Sequence, residues 1–201
     1  ATYLSLVLLV VGVLFLAVAA GLPAFFLGIF AIAWYNGLYT PLKRRTAFAA
    51  IFGSLVGAVP PMIGWTAAGG RFFDARLFAL SMFLLLWQVP HFWLLLLDRE
   101  QDYRSAGLPV FTDVLPAVRL KRIALFWTAA MSLVPLSLPL FGITKSSPAA
   151  WLLLILGLLM IIHALRAGFG AGSASFLKIN AFLAAALLII SLDAVLIGAV
   201  R

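Results

Sequence analysis

Asp98 and Asp102 stand four residues apart in the charged turn DREQDYRSAGLP, Asp98 to Pro109, directly after the apolar run WQVPHFWLLLL, Trp87 to Leu97. If the helix carrying that run continues for one more turn, both carboxylates lie on one face, where they can share a hard divalent cation. Magnesium held by one or two carboxylates usually completes its shell with water and phosphate oxygens, so a diphosphate is the natural co-ligand. A solvated acidic turn balanced by Arg99 and Arg104 is the plainer account of the same spacing. Lys43, Arg44 and Arg45 form a second cluster. Arg forks to two phosphate oxygens and Lys acts as a point charge, and the same residues also serve to anchor a helix end at a membrane surface. His91 lies about two turns inside the apolar run, between Pro90 and Phe92. An imidazole at that depth is costly unless it is paired or faces a cavity, so it is either functional or bonded to a neighbouring helix. Pro90 removes the backbone hydrogen bond to Leu86, and the freed carbonyl needs another partner.

The elements that must position these groups follow from composition. With 65% hydrophobic and 10% charged residues in 201 and a mean hydropathy of +1.18, the chain cannot make the polar shell of a soluble domain. It reads as an all-α, polytopic transmembrane bundle forming one membrane domain over residues 1–201. Apolar runs near the ~20 residues needed to cross a bilayer predict seven helices, at Tyr3–Ala20, Ala24–Tyr39, Ala47–Ala68, Leu77–Leu97, Ile123–Phe141, Ala149–Leu165 and Phe176–Val200. The runs are continuously apolar, whereas β-barrel strands would alternate. Turn residues punctuate the connections: Gly21 to Pro23, Thr40-Pro41, Gly69-Gly70, Gly142 to Pro148 and the stretch from Gly168 to Ser175. There is no cysteine, so any metal needs oxygen or imidazole ligands.

Ten basic residues fall on one side of this layout: Lys43, Arg44, Arg45, Arg99, Arg104, Arg119, Lys121, Arg122, Arg166 and Lys178. Only Arg71, Arg76, Lys145 and Arg201 fall on the other. Short cytoplasmic loops carry the excess of Lys and Arg, which puts the second, fourth and sixth loops inside. The net charge of +8 therefore reads as topology and contact with lipid headgroups, with no nucleic-acid role. Within the third helix, Gly53 and Gly57 allow close helix approach and Pro60-Pro61 break the backbone ladder at mid-membrane. His163 reads as a snorkelling interface residue, and Asp193 as paired or neutral.

Four stretches in order resemble a known family: YNGLYTPLKRRT at Tyr35 to Thr46, GSLVGAVPPMIGW at Gly53 to Trp65, WQVPHFW at Trp87 to Trp93, and DYRSAGLP at Asp102 to Pro109. In order and spacing they are similar to the protoheme IX farnesyltransferases, or heme O synthases, within the UbiA-type intramembrane prenyltransferases. The likeness covers most of residues 30 to 112, and the pairing of PHFW with DYRxAGxP sets it apart from the quinone-directed members.

The resemblance implies an enzyme of nine helices that joins farnesyl diphosphate to a vinyl group of heme B, giving heme O. It implies Mg2+ as cofactor, held by Asp98 and Asp102 together with an N-x-x-x-D-x-x-x-D motif that this chain does not contain. Seven helices against nine, with Ala1 in place of Met at the start, lead to the expectation that the first two helices and that motif are missing. On this reading Lys43, Arg44, Arg45 and Arg104 bind diphosphate, and Tyr103 joins the two aspartates in the catalytic set, closing the site with Arg104. His91 ligates heme iron or orients a propionate. The implied location is the bacterial cytoplasmic membrane with the active loops inside, and the implied partners are lipids and heme A synthase or terminal oxidase assembly. Two rival readings stay open: a prenyltransferase of the same architecture acting on an aromatic quinone precursor, and a non-catalytic heme-binding or assembly protein.

Overall fold

The computed structural model describes residues 2–167 and 173–199, and every regular element among them is a helix. In chain order these are α1 (Thr2–Phe15), a π-helical segment (Leu16–Ala20), α2 (Gly21–Ala33), a second π-helical segment (Trp34–Tyr39) and the single turn α3 (Thr40–Leu42). Then come α4 (Ala49–Gly57), α5 (Val59–Ala67), the long α6 (Ala75–Asp98), and the short α7 (Glu100–Ser105) and α8 (Phe111–Val114). Last are α9 (Ala117–Ser137), extended by a 3-10 turn (Leu138–Phe141), α10 (Ser147–Ala167) and α11 (Ser173–Ala199).

Six stretches are long and apolar enough to cross a bilayer, where the sequence predicts seven. The difference lies at the N-terminal end, where the two expected helices form one run of 41 residues, Thr2–Leu42. The run is not straight. Gly21 takes φ 83 and ψ 168, and a Cβ on Gly28 would meet Leu16 Cδ1 at 2.5 Å. Twelve residues of continuous helix would hold those positions ~18 Å apart, so the chain doubles back at Gly21. Only a residue without a Cβ enters that backbone region freely. No residue of α1 is buried, which leaves its leucines and valines to lipid or to further apolar partners.

The third predicted helix is split into α4 and α5 at Ala58, just before Pro60-Pro61, which occupy the first turn of α5. Proline lacks the N–H that would bond four residues back, and at a helix start that loss is harmless. Gly53 and Gly57 do allow close approach, each to a side chain: the ring of Tyr39 lies 2.8 Å from where a Gly53 Cβ would stand, and Gln88 Oε1 lies 2.5 Å from that of Gly57. The helix expected from Ile123 begins six residues earlier, after Pro116, as α9. Ser173 to Ser175, expected in a connection, open α11. The rest of that connection (168–172) and the predicted end at Val200 and Arg201 lie outside the described residues.

α6 is the central post. On one side Phe83 and Leu94 join Met131 and Leu138 of the α9 region, Leu153 of α10, and Ile179 and Phe182 of α11 in the main core. On the other, Val89 and Trp93 join Ala47, Ala50, Phe111 and Leu120 in a smaller cluster beneath the charged turn. Asp193 of α11 is 5% exposed and paired, as the sequence suggests: it accepts from the backbone N–H of Lys145 at 2.7 Å, from that of Ser146 at 3.2 Å, and from the Ser146 hydroxyl. It ties the loop before α10 to α11.

Candidate functional site

α6 ends at Asp98, and Arg99 leaves the helical range at φ −106, ψ 21 before α7 begins. The helix therefore does not run on unbroken, and the four-residue spacing of Asp98 and Asp102 spans a bend. Both carboxylates are exposed. Asp102 makes a long contact of 3.5 Å with Arg99 Nη1, both side chains being well exposed. Such a pair adds little stability and yields readily to a better ligand. α7 stops at Ser105, and Gly107 takes φ 68 while the N–H of Leu108 bonds the carbonyl of Tyr103 at 2.9 Å. That is a left-handed helix cap, and the glycine of AGLP is there to make it.

Arg104 is taken up by protein partners. Its guanidinium meets Glu100 Oε1 at 2.9 Å, Asp113 Oδ1 at 2.9 Å and Thr112 Oγ1 at 3.2 Å, and the Thr112 hydroxyl donates to Glu100 Oε1 at 2.5 Å. The clasp binds α7 to α8. The Thr112 hydroxyl and the Arg104 guanidinium hold the Glu100 carboxyl below the usual glutamate range.

Lys43 and Tyr103, expected from sequence in the same site, line one crevice with Tyr39, Thr46, Leu96 and Pro109. Its free volume of about 10 Å³ has room for roughly one water molecule. Lys43 Nζ lies 5.8 Å from the centre of the Tyr39 ring, and Tyr39 packs 5.1 Å from Tyr35 and 6.0 Å from Phe92. Burial and the neighbouring Tyr35 push the Tyr103 phenol up, so at neutral pH it stays protonated and can donate. Arg44 and Arg45 are exposed. Among the described residues none of the three cations meets a carboxylate within ion-pair distance, so this end keeps an uncompensated positive field.

Tyr35 and Tyr39 were missed as site residues, although their spacing to Lys43, in steps of four, places all three near one helix face. The π-helical segment that carries them is a further mark, since such widenings recur at functional sites.

His91 Nδ1 lies 2.9 Å from Asn180 Oδ1 of α11, and Asn180 Nδ2 donates to the Phe176 carbonyl at 2.8 Å. With the amide oxygen turned to the ring, Nδ1 carries the proton, and in the neutral ring Nε2 keeps a free lone pair. Trp87 and Phe176 flank the ring at 4.6 and 4.8 Å. Of the two readings of His91 from sequence, the bond to a neighbouring helix is present, and it fixes the orientation of the ring. Asn180 carried no signal in the sequence beyond being polar in an apolar run.

As to metals, no group of three or more His, Asp or Glu gathers among the described residues. Two exposed carboxylates are a donor set suited to a hard cation that completes its shell with water and phosphate.

Residues 1–185 match the model of the UbiA prenyltransferase family. The chain belongs to that family. Six apolar helices agree with its membership, and it is an integral membrane protein. This UbiA-family chain is 42% identical over 152 residues to a protoheme IX farnesyltransferase of Geobacter sulfurreducens, covering 76% of the chain and 56% of the relative. It is 38% identical over 164 residues to one of Nitratidesulfovibrio vulgaris, covering 82% and 57%, and 39% identical over 137 residues to one of Bacillus pumilus, covering 68% and 43%. The alignments with the first two thus span little more than half of the relatives' own length. No solved structure matches it.

Proposed function

We propose that this chain acts in the transfer of a farnesyl group from farnesyl diphosphate to a vinyl group of heme B (protoheme IX), giving heme O. The observation that carries the reading is the crevice that brings Lys43 and Tyr103 together at the end of α6, beside two exposed aspartates, in a chain similar to protoheme IX farnesyltransferases.

Lys43, Arg44 and Arg45 neutralise the departing diphosphate at the membrane end that carries them, the electrostatic contribution that usually dominates such catalysis. Tyr103, kept as a phenol, donates to a diphosphate oxygen. Asp98 and Asp102 would hold Mg2+, which when bound supplies further charge neutralisation at the leaving group. Ionisation breaks the carbon–oxygen bond and leaves an allylic cation. The vinyl carbon of heme B attacks it, and water captures the resulting porphyrin-side cation with loss of a proton, leaving a hydroxyethylfarnesyl substituent. Arg104 is a positioning residue here: through Glu100 and Asp113 it holds the turn that bears Tyr103. His91, oriented by Asn180, presents Nε2 to the heme iron. The reaction belongs at the basic end of the bundle, on the cytoplasmic side of a bacterial inner membrane, with heme A synthase or terminal oxidase assembly as the receiver of the product.

The purified chain, incubated in detergent with heme B, farnesyl diphosphate and magnesium, should yield farnesylated heme by chromatography and mass spectrometry, and chelator should abolish it. The His91 ring oriented by Asn180 can meet heme without any metal-dependent step, which supports as second reading a heme-binding or assembly role without turnover. Heme retained with no product in the same assay would select it.

A further inference from the structure

We propose that the furrow between α10 and α11 is a binding site for one anionic phospholipid, independent of the crevice at Lys43. The furrow has a volume of about 460 Å³ and is apolar except at one end, where His163 and Lys178 line it. Its far end is formed by Leu156 and Ala185. From His163 to Leu156 along α10 is the same number of residues as from Lys178 to Ala185 along α11. In two antiparallel helices that register makes one straight slot, roughly 10 Å long. Ala181 and Ala185, one turn apart, leave its floor low. Leu159 on its rim is 59% exposed, so the slot opens sideways to the bilayer and not into the bundle.

The chemistry matches an acyl chain lying in the slot with a phosphate at the ammonium of Lys178 and a nitrogen of His163. No carboxylate lines the furrow to repel a phosphate. A neighbouring furrow of about 300 Å³ on the other flank of α10 repeats the pattern, with Leu125, Phe126 and Ile161 along it and Arg122 as its one charged residue. Chain alternation puts Arg122, His163 and Lys178 at the same membrane end as Lys43 and the α6–α7 turn. A cation at the headgroup level above an apolar slot is what distinguishes a lipid site from a plain packing gap.

The test uses the full chain in nanodiscs of phosphatidylcholine with a minor share of phosphatidylglycerol, followed by release into mild detergent and native mass spectrometry of the lipid retained. Wild type should keep phosphatidylglycerol in preference to phosphatidylcholine. Lys178→Gln should lower that preference roughly fivefold, as expected for one cation near the surface, and Lys178→Arg should restore it. Ala185→Phe, which fills the slot, should lower retention of both lipids. Wild-type retention in both Lys178→Gln and Ala185→Phe would overturn the site. So would displacement of the lipid by inorganic phosphate, which would mark a free-anion site instead.

Discussion

Lys43 and the two arginines after it have the same charge but different places: Lys43 is drawn over the Tyr39 ring into the crevice, and Arg44 and Arg45 stay on the exposed rim. A charge-assisted hydrogen bond in a partly enclosed site contributes about 1.5–3 kcal/mol, and an exposed cation much less. Lys43→Gln should therefore raise the apparent KM for farnesyl diphosphate by about tenfold or more, and Arg44→Gln with Arg45→Gln by only a few-fold; equal effects would return all three to a common surface role. The clasp around Arg104 has its own signature in pH. Folding depresses the Glu100 carboxyl, so the clasp contributes fully above the ordinary glutamate value near about 4.3 and loses its contribution as pH falls through the lowered value. The protection of amides across residues 99–113, taken relative to the intrinsic exchange rate at each pH, should fall on acidification below that range. In Glu100→Gln that protection should already be lower at neutral pH and should not follow the titration.

Lipid offers no hydrophobic reward for burying one leucine against another, so close packing decides where the helices meet, and glycines mark the closest approaches. The least yielding case is Gly157 of α10, where a Cβ would stand 2.6 Å from the carbonyl oxygen of Ser132 in α9. The obstacle is backbone, which cannot swing aside as the Leu16 side chain can at Gly28. Gly157→Ala should cost about 1–3 kcal/mol through displaced helices, read as a lowered melting temperature in detergent, while Gly12→Ala, with nothing within 4 Å of its Cβ position, should leave it unchanged. α6 shows how an element serves two ends at once. Its middle locks to α11 through His91 and Asn180, and its last turn delivers Asp98 to the surface.

Across the whole molecule the alternation of spans collects Lys43 to Arg45, the α6–α7 turn, Arg122 and Lys178 at one end, and the Asp193 tie with Lys145 at the other. The chain has no cysteine, so single replacements report topology without background. Cysteines at Arg45 and Ser105, both exposed, should label with an impermeant reagent from the same side of the membrane, and one at Lys145 from the opposite side. Labelling of Arg45 and Lys145 positions from one side would break the proposed layout.

Much of this was legible in the residues alone. Continuous apolar runs near bilayer length leave helices as the way to satisfy the backbone, so the helical class and the apolar stretches follow from hydropathy. The motifs from Tyr35 to Thr46 and from Asp102 to Pro109 hold Lys43 and Tyr103, which the fold brings to one crevice. Pairing across the bundle was not legible, because in a chain this apolar nothing local says which faces meet. That Tyr39 packs against Gly53, that Asn180 reaches His91 across 89 positions, and that Arg104 closes on Glu100 and Asp113 instead of remaining free are decided by packing. The return at Gly21 was legible as the turn from Gly21 to Pro23. The bend at Arg99 was not: it turns on one residue's backbone angles, which hydropathy does not encode and only the contacts of the folded bundle select.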